Sequence, residues 1–409
     1  MAKKKKSEMT TNIDENGTIE EIIKDLAKEI NTSQGEKVAF VLGNQESPTE
    51  FTTWTSTGSL LLDYAISNKR NGGIPAGRII EISGTPSSGK SLLAFEILKN
   101  AQRRGDIAVL LDAENSTSAE LLQFLGLDSG KLLHMSPKNL EQMFMMLEDI
   151  IKKVHLLKKD GKDISVTAVV DSLAALPPKG ELDGEYDDNS IGLGARKVSQ
   201  AMRKITQMTG VEKVTLIIIN QLRQKIGILY GDPNVCPYGS AIPFHSTVRL
   251  RLSSHGNVED DDKNIIGIET MCKVIKNKCS IPFRKAEFNI MFNVGIDESE
   301  QLFDKLRISS DRKKLYCEYN EKKCHVVFKS GQWCKMIVID CESEEVLLEE
   351  TFRKKEFSKK IFNPYNNMIL GLLEQACILR IGNDQDEEIQ IDPESYMETQ
   401  ALADSILAD

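Results

Sequence analysis

Eight consecutive residues, Gly84, Thr85, Pro86, Ser87, Ser88, Gly89, Lys90 and Ser91, satisfy the pattern G-x-x-x-x-G-K-[ST]. A phosphate chain needs backbone N–H groups it can approach closely, a helix N-terminus aimed at it, and a counter-charge. The glycines permit the approach, Lys90 supplies charge for the β- and γ-phosphates of a nucleotide, and the Ser91 hydroxyl is the kind of oxygen that ligates Mg²⁺. The setting fits this chemistry, because the strand-like run RIIEIS (78–83) precedes the loop and the helical LLAFEILKNAQ follows it.

Nucleotide hydrolysis also needs carboxylates at neighbouring strand ends. VTAVVD offers Asp171 for a metal, and IAVLLDAEN ends in Asp112 and Glu114, either of which could orient an attacking water. An isolated Asp at a strand end is as readily a helix N-cap. Asn220 and Gln221 close another buried run, VTLIIIN, where a neutral amide can touch the γ-phosphate and register its loss.

These groups require a scaffold. RIIEIS, IAVLLD (107–112), VTAVVD (166–171), VTLIIIN (214–220) and VRLRLS (248–253) are short, rich in β-branched residues and mostly apolar on both faces. Helical patterns at Ser91–Arg104 and Asn139–Leu157 separate the earlier ones, which predicts an α/β fold with a largely parallel, twisted sheet covered by helices. Around this core, residues 51–296, the texture changes. Residues 1–17 read as a disordered basic and polar start. Residues 18–50 read as an amphipathic helix (Ile19, Ile22, Ile23, Leu26, Ile30) and a strand-and-loop connection, and the helix could cap its own core or pack on another subunit. Residues 297–381 read as a small α+β domain, with CHVVF and KMIVI as strands and NMILGLLEQA as a helix; residues 382–409 form an acidic tail.

Over 409 residues the formal charge is −9, which by itself argues against a nucleic-acid partner. Position reverses that reading, since the nine acidic residues after Arg380, with no Lys or Arg among them, account for the whole imbalance. No apolar run reaches the ~18 residues that span a bilayer, and Lys3–Lys6 are not followed by an apolar stretch, so a cytoplasmic chain is expected. The eight cysteines all lie in the second half without a Cys-x-x-Cys pair. Cys317, Cys324, Cys334 and Cys341 with His325 could ligate a metal or pack as reduced small apolar side chains.

The order GTPSSGKS, LLDAEN, VVDSLAALPPKGELDGEYDDNSIGLGARKVSQAMRKI, NQLRQKIGILYGDP, SAIPFHSTVRLRL, KVIKNKCSIPFRKAEFNIMF closely resembles bacterial RecA recombinases from about Ser56 to Ile296. The resemblance implies an RecA-like P-loop ATPase core that uses ATP and Mg²⁺, forms helical filaments on single-stranded DNA and exchanges strands with homologous duplex DNA. It implies phosphate and magnesium roles for Lys90, Ser91 and Asp171, water activation by Glu114, and coupling of ATP state to DNA by Gln221. Lys276 and Lys278 match lysines that reach the γ-phosphate of an adjacent subunit. Two segments match the DNA-facing loops. Pro177 to Arg196 opens into a helix with Arg196 and Arg203; Gln221 to Phe244 carries Arg223, Lys225 and Gly239. Ile191 and Ile226 match the positions that part base triplets. Single-strand-binding or loader proteins are further expected partners.

The chain departs from the family at four places. An adenine-stacking tyrosine falls on Leu121, a second tyrosine on Phe292, a Gly-Gly pair becomes Tyr238-Gly239, and a lysine becomes Pro243. Tyr238 is expected to add bulk where the loop backbone should be free. The competing readings are another motor of the same fold, such as a hexameric helicase, and a non-catalytic mediator, for which intact Lys90, Ser91, Glu114 and Asp171 would be unnecessary.

Overall fold

A run such as VTAVVD has no polar alternation, so neither of its faces can be left to water and both need a layer of helices. The computed structural model describes residues 18–35, 37–42, 47, 49–183, 192–224 and 234–379. Its elements begin with α1 (Ile19–Gln34), β1 (Trp54–Thr55), α2 (Leu60–Ser67), β2 (Ile74–Pro75), β3 (Ile79–Gly84), α3 (Lys90–Arg104), β4 (Ile107–Asp112), α4 (Ala119–Phe124) and β5 (Leu132–Met135). There follow α5 (Leu140–Lys159), β6 (Val166–Asp171), α6 (Lys179–Asp183), α7 (Leu193–Glu212), β7 (Val214–Gln221), β8 (Arg223–Gln224), β9 (Asn234–Val235) and α8 (Ala241–His245). The rest are β10 (Val248–Glu259), β11 (Ile265–Asn277), β12 (Lys285–Met291), β13 (Gly295–Asp297), α9 (Ser299–Arg312), β14 (Leu315–Tyr319), β15 (Lys322–Lys329), β16 (Cys334–Asp340), β17 (Val346–Phe352) and α10 (Asn366–Cys377).

The main sheet has nine strands in the order β13-β12-β11-β10-β3-β7-β6-β4-β5. From β10 to β5 every neighbour is parallel, and from β10 to β13 every neighbour is antiparallel. Five of the eight pairings are parallel, which is the largely parallel sheet expected, and the other three form an antiparallel wing. The antiparallel wing alternates along β10 and β11, and that period-2 pattern fits a sheet with one face toward water. Two apolar layers sandwich the parallel strands. Leu62, Leu93, Ile97 and Leu98 of α2 and α3 cover one face, and Phe144, Leu147, Val198, Met202 and Ile205 of α5 and α7 cover the other.

The chain divides between Thr52 and Thr53 into two units. In the first, Thr18 and Glu21 form a reciprocal capping box that starts α1, and Gly35 at φ 74° ends it. Its apolar stripe is exposed, with Ile19 at 77% and Leu26 at 55%. No strand forms among the described residues between 35 and 50, because Val38 and Ala39 both donate to the Asn31 side chain at 2.7 Å rather than to a ladder.

In the second unit, α9 and α10 join the antiparallel sheet β14-β15-β16-β17 around a core of Phe303, Phe328, Phe352 and Phe357, whose ring centroids lie 5.5–6.4 Å apart. Cys324, Cys334 and Cys377 are buried in this core. Among the described residues no three His, Cys, Asp or Glu side chains are arranged to hold a metal. The lobe is stitched to the sheet at α2: Glu298 accepts from Ser59 Oγ at 2.6 Å and from the Leu60 N–H at 2.5 Å, capping that helix. Arg284 donates to the carbonyls of Tyr64 and Cys377. No helix among the described residues is long and apolar enough to cross a membrane. The acidic tail, residues 382–409, lies outside the described residues.

Candidate functional site

The loop after β3 is shaped by two positions without room for a side chain. A Cβ on Gly84 would stand 2.6 Å from both the Leu252 carbonyl oxygen and Ser88 Oγ, and Gly89 sits at φ +86° with Ile290 Cδ1 2.3 Å from where its Cβ would be. Gly89 caps α3 without a side-chain acceptor, and the first turn of α3 carries no acidic residue. The first N–H groups of a 15-residue helix are thus directed at the loop, an arrangement that attracts an anion. Lys90 folds back over the loop to donate to the Thr85 carbonyl at 2.7 Å, and Ser88 Oγ donates to the same oxygen at 2.8 Å. Burial pulls the Lys90 ammonium below its ordinary pKa, while Asp171 and Glu114 pull it back up. Two carboxylates therefore face this lysine closely enough to act on it.

Register brings the acids together. β4 and β6 pair Asp112 with Asp171, so both strands end level with the phosphate loop. The Ser91 hydroxyl hydrogen-bonds Asp171, whose carboxyl is pushed up to about 6 by burial first, with Glu114 and Asp112 adding to the rise. Glu114 Oε1 accepts from Ser172 Oγ at 2.7 Å and from Gln221 Nε2 at 3.1 Å. Asp112 has a different occupation: it is buried and receives the N–H groups of Ser116 (3.4 Å) and Thr117 (3.0 Å), with His134 Nε2 at 3.5 Å. It clamps the turn that carries Glu114. Of the two acids in LLDAEN, only Glu114 presents its carboxylate to the loop lysine and to Gln221.

Asn220 does not face that cleft. Its amide turns inward and donates to Glu81 Oε1 at 2.8 Å, because successive residues of a strand point to opposite faces. Of the two amides at this strand end, only that of Gln221 turns to the side of Glu114.

Lys276 and Lys278 stand elsewhere. Gly84 is level with Leu252 on β10, while Lys276 is paired with Arg249, which is level with Glu81. Three residues of strand, about 10 Å, separate that row from the phosphate loop. Lys276 donates to the carbonyls of Pro243 and Phe244 at 2.7 and 2.8 Å, and it is pushed down to about 8 by burial, Lys278 and Arg249. His245 is held below its ordinary pKa by burial and then by Lys276, Lys278 and Arg203. The edge opposite the phosphate loop thus gathers three cations around one imidazole.

On α7, Arg196 and Arg203 fall on one outward face with Gln200, Lys204 and Gln207, which line a shared groove. β8 and β9 pair, with Arg223 opposite Val235. Ile191, Lys225 and Ile226 lie outside the described residues. Gly239 sits at φ +75°. Tyr238, expected to add bulk at the second loop, turns that bulk inward. Its ring packs against Gly194, where a Cβ would be 2.4 Å from Tyr238 Cε1, and its hydroxyl donates to the Leu176 carbonyl at 2.6 Å. The bulk goes into the core beside α7 and anchors the loop's return. Tyr238→Phe should lower unfolding stability by ~1 kcal/mol in a denaturant titration, since the Leu176 carbonyl loses its donor. Leu121 is exposed at 39% and is followed one turn later on α4 by the more exposed Phe124; Phe292 is 45% exposed.

Sequence reasoning missed Ser172, which orients Glu114, and the buried Glu81–Arg249 ion pair between β3 and β10. The second had a signal: Glu81 interrupts the apolar run of RIIEIS, Arg249 and Arg251 interrupt that of VRLRLS, and the register makes Glu81 and Arg249 neighbours.

The profile of the family described as RecA N-terminal domain matches residues 21–297. Protein RecA of Mycoplasma mycoides is 41% identical over 284 residues, covering 69% of this chain and 78% of that protein. Protein RecA of Wolinella succinogenes is 36% identical over 370 residues, 89% of this chain and 95% of that protein. Protein RecA of Chlorobium limicola is 38% identical over 278 residues, covering 68% and 71% respectively.

Proposed function

The chain belongs to the RecA family, and on that footing we propose how its residues divide the work of an ATP-driven recombinase. As a member it is a DNA-dependent ATPase of homologous recombination and repair that binds ATP and DNA and forms filaments. Gly84 to Ser91 hold the triphosphate, Lys90 neutralises it, and Glu114 accepts the proton of the attacking water. Ser91 and Asp171 are the residues that would hold Mg²⁺. They fit it, since their oxygens are hydrogen-bonded to each other and crowded by Glu114 and Asp112, whose charges a divalent cation would offset. Bound there, Mg²⁺ supplies charge neutralisation at the phosphates.

The observation that carries the coupling to DNA is the Gln221–Glu114 hydrogen bond. Gln221 is the first residue of the second loop, so displacement of that loop acts directly on the hydrolytic carboxylate. Arg196, Arg203 and Arg223 with Lys225 face DNA phosphates, Ile191 and Ile226 separate stacked bases, and Gly239 gives the loop its turn. Single-stranded DNA is bound first and homologous duplex is searched afterwards, in the cytoplasm, with loader or single-strand-binding proteins as partners. Lys276 and Lys278 complete the site of an adjacent subunit in the filament.

The test is ATP hydrolysis with and without single-stranded DNA at fixed salt, with Lys90→Ala as background. DNA stimulation that disappears in the variant is expected. A rate indifferent to DNA in the intact chain would refute the coupling.

A further inference from the structure

β4 ends at Asp112, and Glu114 stands two residues beyond it on a turn that must hold the carboxylate at the phosphate loop. One side of that turn is continuous with the sheet, since the Ala113 N–H donates to the Asp171 carbonyl at 2.8 Å. Asn115 then reverses the chain at φ 51°, a left-handed conformation that asparagine tolerates better than most residues. The returning N–H groups of Ser116 and Thr117 close on Asp112, the first on Oδ1 at 3.4 Å and the second on Oδ2 at 3.0 Å. The Glu114 side chain is held separately, at Oε1, by Ser172 and Gln221. Asp112 thus fixes the backbone from which Glu114 reaches, and the other two fix the carboxylate at its end.

A third donor reaches Asp112 from the edge of the sheet. β5 is the edge strand beside β4, and their register sets His134 level with Leu110. Leu110 and Asp112 are two apart on one strand, so all three side chains share a face. His134 Nε2 lies 3.5 Å from Asp112 Oδ2, the oxygen that also takes the Thr117 N–H. An ionised carboxylate only accepts, so Nε2 is the donor in this contact. Asp112 is buried whereas His134 is exposed, so the pair links the protein surface to the turn under Glu114. At 3.5 Å the bond is long, and it limits rotation of the carboxylate rather than building the turn. α4 is insulated from it, because Ser118 caps that helix on its own by accepting the Leu121 N–H at 3.1 Å.

We propose that His134 is a positioning residue for hydrolysis, acting on Glu114 through Asp112. The inference rests on the reading of Glu114 as the group that accepts the proton of water, and adds to it a residue outside the phosphate loop and outside the loops assigned to DNA. With the imidazole in place, Asp112 keeps both returning N–H groups and Glu114 stands where the water must be. Without it the carboxylate turns more freely, the turn relaxes, and Glu114 is correctly aimed for a smaller fraction of the time. The phosphate loop is untouched, so nucleotide binding is preserved.

His134→Ala should slow single-turnover ATP hydrolysis on single-stranded DNA by ~5-fold, as fits one long hydrogen bond acting at a remove from the chemistry. The dissociation constant of a fluorescent nucleotide should stay within about 2-fold of that of the intact chain. His134→Gln, whose Nε2 can stand where the imidazole Nε2 stood, should return the rate to within about 2-fold. Where thermal unfolding shows the alanine variant destabilised, His134→Leu keeps bulk on the strand without a donor and gives the same contrast. A double-mutant cycle tests the route: with Glu114→Gln already present, His134→Ala should have almost no further effect on the residual rate. A full-size effect in that background overturns the proposal. So does an unchanged rate in the alanine or leucine variant, a matching loss of nucleotide binding, or a glutamine variant as slow as the alanine one. Hydrolysis in Glu114→Gln alone within about tenfold of the intact chain instead removes Glu114 as the base, and the role of His134 with it.

Discussion

Glu114→Gln is expected to reduce ATP hydrolysis by ~10²- to 10⁴-fold while leaving the fold and nucleotide binding nearly untouched. The reason lies in which oxygen is engaged. Ser172 Oγ and Gln221 Nε2 both donate to Glu114 Oε1, at 2.7 and 3.1 Å. A glutamine can present its carbonyl oxygen to the same two donors, so the loop and its link to Gln221 persist. What disappears is the capacity to accept a proton from water and the negative charge that acts on Lys90. Single-turnover hydrolysis separates this step from product release, and a fluorescent nucleotide measures binding. Hydrolysis within tenfold of the intact chain would show that another group is the base. The clamped Asp112 is not that group, because both of its oxygens are occupied by the turn and His134.

The parallel half of the sheet was readable because its strands are buried on both faces, which leaves a continuous apolar run that few other structures can accommodate. RIIEIS, IAVLLD, VTAVVD and VTLIIIN emerge as β3, β4, β6 and β7 with ends shifted by at most one residue. The antiparallel wing was harder to see. Along β10 and β11 polar and apolar residues alternate, and a half-exposed strand shows its partner only once register is known. The same limit applied to the site. A phosphate loop is local, so eight adjacent residues announce it. The meeting of Glu114 with Ser172 and Gln221, by contrast, spans 58 and 107 residues and is created by strand order. The direction in which Tyr238 sends its bulk is hidden from sequence for a related reason. A large residue in a loop looks like an obstruction until the glycine that receives it, Gly194, is found on another element.

The phosphate loop and Lys276 lie at opposite ends of the β3–β10 register, about 10 Å apart; on the proposal that the lysines complete a neighbour's site, the two halves of that site come from different surfaces of the subunit. Different, complementary surfaces make heterologous head-to-tail contacts, which build rings or open filaments rather than two-fold dimers. On that proposal neither half completes a site within one subunit, and mixing two defective variants restores activity. Glu114→Gln lacks the base but keeps the cations; Lys276→Ala with Lys278→Ala lacks the cations but keeps the base. Each alone should be nearly inactive, the second by ~10³-fold if the lysines act as an arginine finger does. In an equal random mixture, a site is intact when an intact-Glu114 subunit meets an intact-lysine neighbour. That restores about a quarter of the wild-type sites, in a contact that is heterologous. Because Lys276 also holds the carbonyls of Pro243 and Phe244, Lys278→Ala alone is the cleaner partner, being exposed at its side chain. Recovery on mixing, absent when either variant is mixed with itself, is the expected result of a steady-state assay on DNA. A mixture no more active than its parts would place the lysines outside the hydrolytic site and leave the cation cluster around His245 to another anion.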